Sequence, residues 1–370
     1  MLSKATWLWI AAGALGSAAF GQTVPAAAPI PSDPLELATG QIRAHPNRAH
    51  ALSLLGRARD NFALAAAGRA YDLKVTFTVD SGGQTEYDGA WGMEQMFDPQ
   101  QGLRWTANAA GGYEITRITV HGMHYQEDTA SYIPLRLQEA RAALFDPIAT
   151  ADYVAHATIR ASNSVFHGAP VTCLLLSNSR PASGAAPGRR WDETEDCIDP
   201  QSGLLQVHSP VPGRYYAYDY SNAPSLEGHT LPSKVSVTEG GQTVSEIQVD
   251  SLTGLSSADP SLFTPSDEMK ARGRAIAMTG AQKISRDFAR APFPPGATQH
   301  VVCVFGLVTP SGELVEAHSL QPSDPNSRAA VAAARQMRFS QAAPTGPSPQ
   351  QHFVFVIERF VSSPAIHGPR

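Results

Sequence analysis

The residues best suited to covalent chemistry are three cysteines, Cys173, Cys197 and Cys303. Cys173 lies in an apolar run and Cys197 stands just before Asp199-Pro200. In an exported chain this pair is expected to form a disulfide, worth roughly 3 kcal/mol by loop closure and tying down the polar stretch Ser179 to Asp196. Cys303 sits in another apolar run and is expected to be buried and unpaired, a small hydrophobe. His121 and His124 in HGMHY are the nearest thing to a metal pair, but strand residues three apart point to opposite faces and cannot share an ion. Asp192, Glu193, Glu195 and Asp196 cluster beside Trp191. They lack the ligand spacing and glycine bend of a calcium loop, so a solvated acidic loop is expected. Gly-x-Ser-x-Gly, P-loop and His-Glu-x-x-His signatures are missing from the sequence. The expectation is a binding protein that is not an enzyme, with no catalytic residue, cofactor or metal.

The chain of 370 residues is 42% hydrophobic and 16% charged, with net charge −5. That is enough for two domains or more, and without a basic stripe it gives no sign of a nucleic-acid partner. MLSKATWLWIAAGALGSAAFGQ carries Lys4, an apolar run from Ala5 to Phe20, and small residues before Gln22. Residues 1–21 therefore read as a cleaved signal peptide, which puts the mature chain in the periplasm or outside the cell. The alternative is an anchor formed by residues 5–20, a run shorter than the roughly 20 residues a span needs. Residues 22–44 are an Ala/Pro-rich lead-in.

From His45 to Ala70, Leu52, Leu55, Ala58, Phe62 and Ala66 recur at helical spacing. Tyr71 then starts a run in which Leu73, Val75, Phe77 and Val79 alternate with Lys74, Thr76 and Thr78, the mark of a half-buried strand. Asp98–Leu103 and Asp199–Leu204 read as two similar hairpin turns with glycine at a positive φ. Further strands are expected at 113–125, 151–161, 169–178, 193–198, 204–209, 215–222, 234–239 and 243–252, with a helix at Leu135–Leu144. Many short strands at regular spacing predict an α+β chain built on one large curved antiparallel sheet.

A leading helix, a long meander, a helical insertion, then "LPSKVSVTEGGQTVSEIQVDSL" and "DPSLFTP" together resemble the LolA/LolB-type lipoprotein carriers. That resemblance implies a β half-barrel over residues 45–265 with helices across its mouth. It also implies an apolar ligand, lipid or acyl chain, against the concave face, which makes Val75, Phe77, Trp91 and Trp105 the wall residues; filling of a packed core is the competing role for them.

The last stretch reads HVVCVFGLVTPSGELVEAHSL, SDPNSRAAVAAARQMRF and QQHFVFVIERF. Pro310-Ser311-Gly312 turns one strand onto the next, and Asp324-Pro325 starts an Ala-rich helix. Gly-Leu-Val-x-Pro-x-Gly-Glu, "AAVAAARQMRF" and "HFVFVIERF" resemble the C-terminal domain of TonB-family energy transducers, with Met337 where that family has tryptophan. The resemblance implies a small α/β (ββαβ) domain at 299–361. It also implies a partner, an outer-membrane or other envelope protein, adding a strand to the final edge at Phe353, Val354, Phe355, Val356 and Ile357. Residues 266–298 are expected to be a partly helical linker and 362–370 a tail. TonB anchors carry a membrane histidine, and none precedes His45, so force transduction is the alternative and docking the main expectation. A pair of protein-binding modules without a ligand cavity is the other alternative.

Overall fold

The computed structural model describes residues 42–82, 85–130, 132–178, 188–190, 193–273, 301–308, 312–325, 327–339 and 354–361. The expected signal peptide, almost all of the expected lead-in, Trp191, Asp192, the expected linker beyond Gly273, Phe353 and the expected tail lie outside the described residues.

The chain opens with α1 (Arg48–Phe62), whose N-terminus is capped by the Asn47 side chain accepting from His50 N. Ala51, Leu54, Leu55, Ala58 and Phe62 form its buried stripe. Leu52, expected on that stripe, is exposed, and Leu54 stands in for it. Five strands follow in a meander: β1 (Tyr71–Val79), β2 (Gly89–Asp98), β3 (Gly102–Ala109), β4 (Glu114–Val120) and β5 (Met123–Asp128). Two helices come next, α2 (Leu135–Phe145) and α3 (Ala151–His156). A second meander runs through β6 (Thr158–Phe166), β7 (Ala169–Ser177), β8 (Thr194–Ile198), β9 (Leu205–Val211) and β10 (Arg214–Asp219). A small ribbon, β11 (Ser225–Leu226) and β12 (His229–Thr230), precedes β13 (Lys234–Glu239) and β14 (Gln242–Gly254). The strand expected over 151–161 is thus a helix and then a strand. Thr150 Oγ1 accepts from Tyr153 N at 3.3 Å and starts α3, and pairing begins only at Thr158.

Twelve strands make one antiparallel sheet in the order β5-β4-β3-β2-β1-β14-β13-β10-β9-β8-β7-β6. The two meanders meet where β1 pairs with β14, and β5 and β6 are the two outermost strands, β6 bridged at Ala161 by Arg43. The sheet is open, not closed into a barrel. This topology explains the position of α2 and α3. They connect one edge strand to the other, so their segment has to cross the sheet, and its apolar residues cover the inner face. Both expected Asp-Pro-Gln turns form in the same way: Asp98 Oδ1 accepts from Gln100 N and Asp199 Oδ1 from Gln201 N, each at 2.8 Å. Gly102 (φ 120°) and Gly203 (φ 77°) supply the positive φ.

Beyond a short α4 (Asp267–Arg272), the C-terminal unit contains β15 (Val301–Val308), β16 (Leu314–Ser319), α5 (Ser327–Arg335) and β17 (Val354–Val361). Its sheet order is β16-β15-β17, antiparallel throughout, the expected ββαβ arrangement. One face buries Val302, Val304 and Val308 against Ala330, Ala333, Ala334 and Met337. Phe305 and Leu307, on the opposite face of β15, join Leu320 in a separate cluster with Leu135 and Val211 of the large sheet domain. The two units therefore share a buried apolar seam.

Candidate functional site

The inner face of β1–β3 carries the four residues assigned to a ligand wall. Val75 is 2% exposed, Phe77 2%, Trp91 3% and Trp105 4%. Phe77 lies opposite Trp91 in register, and their rings stack at 5.4 Å with 11° between planes. Trp91 Nε1 donates to the Tyr87 carbonyl at 3.0 Å. Leu137, Ala140, Ala143 and Leu144 of α2 close over these rings in one core. Arg141 of the same helix places its guanidinium 3.9 Å from the Trp105 ring centroid and 5.0 Å from that of Phe145. It also donates to Gln95 Oε1 at 3.1 Å, and Gln95 Nε2 donates to Tyr71 Oη at 2.9 Å. The structure thus brings all four residues to one apolar face and places α2 across it. Their present neighbours are each other and the helix, so a ligand reaching them would have to displace α2.

The other side of α2 faces the C-terminal unit through charge. Arg136 donates to both oxygens of Glu239, at 2.6 and 3.0 Å, and to Glu139 Oε2 at 3.1 Å. Arg214 pairs with Glu139 and approaches Glu239 Oε1 at 3.4 Å. The cluster is two arginines and two glutamates, and its formal charge cancels. Phe305 from β15 inserts between the cations, 5.2 Å from the Arg136 guanidinium carbon and 4.3 Å from that of Arg214. His318 stacks on the same ring at 5.3 Å. Removing one partner from such a buried set strands the others and is worth about 3–5 kcal/mol.

Glu316 completes the seam. The N-cap of α2 is Pro134, which offers no side-chain acceptor. Glu316 Oε1 of β16 instead accepts from Leu135 N at 2.9 Å, capping the helix from another unit. Burial, joined by the charge of Glu139 and Glu86, raises the Glu316 carboxyl from 4.5 to about 7, although the bond from Leu135 opposes the shift. Burial drives His318 well below its ordinary value, aided by Arg136, Arg214 and Arg335, and holds the ring neutral.

The other sequence expectations fall elsewhere. Cys173 and Cys197 are directly opposite on β7 and β8 and form a disulfide. The side chain of Cys303 lies outside the described residues. The acidic cluster is not a solvated loop. Glu193 and Glu195 are fully buried and Asp196 is 1% exposed, because Arg160, Arg189 and His208 pair with them at 2.5, 3.0 and 2.7 Å. His121 occupies the exposed β4–β5 turn at φ 50°, whereas His124 stands on β5 with Nδ1 2.8 Å from Thr119 Oγ1. Val354, Phe355, Val356 and Ile357 lie in β17, an edge of the three-stranded sheet. Among the described residues no helix is long and apolar enough to cross a membrane.

Sequence reasoning did not find Arg136, Glu139, Arg214, Glu239 or Glu316. Arg136 and Glu139 lie three apart on a helix and look like an ordinary surface pair. The partner that changes their meaning, Glu239, is 103 residues away. The one local mark was on Glu239, a charged residue in the same alternating phase of β13 as the buried Val235 and Val237.

No protein-family model and no curated relative matches the sequence. Similar solved structures include a DUF1329 family protein from Desulfovibrio piger, at 11% identity and TM-score 0.38, covering 59% of this chain and 97% of that one. A LolA superfamily protein from Nitrosomonas europaea aligns at 12% identity and TM-score 0.35, over 58% of this chain and 96% of its own. The complex of MucA and MucB from Pseudomonas aeruginosa aligns at 13% identity and TM-score 0.28, over 69% and 75%. None of these three is a TonB-type transducer.

Proposed function

We propose that the protein is a non-enzymatic binding protein of the bacterial envelope, exported to the periplasm. Its large sheet holds an apolar, lipid-like ligand on the face covered by α2, and its C-terminal unit docks an envelope partner. The observation that carries this reading is the two-sided environment of α2. One side of the helix covers an aromatic and aliphatic sheet face; the other is clamped by residues of a separate unit. A helix that merely completed a core would need no clamp from outside, whereas a movable cover does. The buried carboxylates are engaged by arginines and by a helix N-terminus, which favours binding over catalysis. The outer position of β17 among the described strands supports the docking half, since an edge strand can present unpaired backbone groups to an extended peptide.

Native mass spectrometry of gently purified full-length protein tests the ligand half. A co-purifying amphiphile, or uptake of one after delipidation, is the expected result; an apo mass that takes up no acyl compound overturns it. For the docking half, a photoreactive residue at position 356 should give one defined cross-linked adduct in intact cells. A ladder of random adducts, or none, sinks that half and leaves the ligand half standing.

A further inference from the structure

We propose that Arg117 and Arg141 form the headgroup site for an anionic amphiphile on the inner face of the sheet, with Trp105 as the platform between charge and chain. Arg117 stands on β4 directly across from Trp105 of β3, and residues opposite one another in an antiparallel pair project to the same face. Arg141 reaches the same ring from α2, 3.9 Å above its centroid. One guanidinium thus lies on the indole, and Arg117, on the neighbouring strand, is near enough for its charge to act on Arg141. Among the described residues neither makes an ion pair. Gln95 and the Met93 sulfur receive hydrogen bonds from Arg141 at 3.1 and 3.6 Å, and both acceptors are neutral. Asp146, at the end of α2, acts on Arg141 only through space.

Both residues keep part of their surface exposed, and their like charges repel in the absence of an anion. Desolvation and the proximity of Arg117 push Arg141 down to about 9, and desolvation also lowers Arg117. The fold has shown that it can neutralise buried arginines, since Arg136, Arg214, Arg160 and Arg189 all have carboxylate partners. A carboxylate or phosphate would supply the missing charge here, and the planar fork of arginine suits either. A bare small anion is the less fitting occupant, because the ground beside the site is apolar: Trp105, Met93 and Val75 continue from it along the buried face. This proposal rests on the ligand half of the function proposed above and adds the charge of that ligand.

The test uses delipidated full-length protein and four probes: oleate, oleoyl lysophosphatidate, oleyl alcohol and inorganic phosphate. Binding is followed by calorimetry for wild type, Arg117→Gln, Arg141→Gln and the double variant. At least one anionic lipid should bind about tenfold to a hundredfold more tightly than the alcohol, and the double variant should erase that preference with little change for the alcohol. The tighter of the two anions assigns the headgroup as carboxylate or phosphate. Equal affinity for alcohol and anions overturns this proposal while leaving the apolar site intact. Failure of every lipid to bind overturns both, and phosphate binding as tightly as the lipids replaces the amphiphile with a simple anion site. A second readout guards against a structural role. Arg117→Gln should leave Tm unchanged or raise it, and a fall of several degrees overturns the assignment of an uncompensated charge.

Discussion

Helix α2 has arginines on two sides, and the two sides treat them in opposite ways. Toward the C-terminal unit, Arg136 is bound by Glu239 and Glu139 and its neighbour Arg214 by the same two carboxylates. Toward the sheet, Arg141 rests on Trp105 beside Arg117 and receives only neutral partners. Arg136 and Arg214 are buried while Arg141 and Arg117 keep part of their surface exposed, and the two sides differ in charge balance as well. A balanced cluster of this sort fixes geometry, because removing any member leaves a stranded charge. An unbalanced one is a standing cost that an anion would remove. The comparison separates what holds the helix in place from what the helix covers.

The largest effect that would break this contrast is on the balanced side. Glu239→Ala should destabilise the protein by about 3–5 kcal/mol in urea unfolding, because both arginines lose a carboxylate. A loss below about 1 kcal/mol would mean that the seam is not a clamp. Next comes pH. The Glu316 carboxyl is raised from 4.5 to about 7, so the folded chain holds that proton more tightly than the unfolded chain does. The stabilisation from that proton is complete below about pH 4.5 and is lost as pH rises through about 7. Between those limits, wild type should lose on the order of 3 kcal/mol relative to Glu316→Gln. Parallel stability curves over that range would mean that burial does not raise the Glu316 carboxyl. The unbalanced side predicts a change of opposite sign: Arg117→Gln should gain about 1 kcal/mol, read as a shifted urea midpoint. The smallest effect sharpens where the seam ends. Gln242 Nε2 donates to Ser323 Oγ at 2.8 Å at its exposed rim, and Gln242→Ala should lose only about 0.5 kcal/mol.

Much of the fold was readable in advance because it follows from short-range rules. Alternation at Leu73, Val75, Phe77 and Val79 became β1 with every one of those residues buried, and Asp98 and Asp199 formed the turns their Pro-Gln-x-Gly contexts suggest. The segment 151–161 failed because a cap at Thr150 outweighed a weak strand pattern. The acidic cluster failed for a different reason. Glu193 and Glu195 look solvated until Arg160 and Arg189 fold onto them. The seam was illegible on the same grounds: its charges come from α2, β10, β13 and the C-terminal unit, and nothing local marks them as partners. The wall residues Val75, Phe77, Trp91 and Trp105 did converge on one face, because register alone dictates that. What lies over them was set by topology, as the chain between β5 and β6 must cross the sheet.

The most direct test of the central claim, that α2 is a cover held by the C-terminal unit, is the rate at which an apolar probe enters. Phe305 is the ring gripped by Arg136 and Arg214, and Phe305→Ala loosens the clamp without touching the sheet face. Stopped-flow fluorescence with cis-parinaric acid should show uptake about tenfold faster in Phe305→Ala than in wild type, each turn of tenfold corresponding to about 1.4 kcal/mol of clamp strength. Equal uptake rates, in a variant that remains folded, would contradict it.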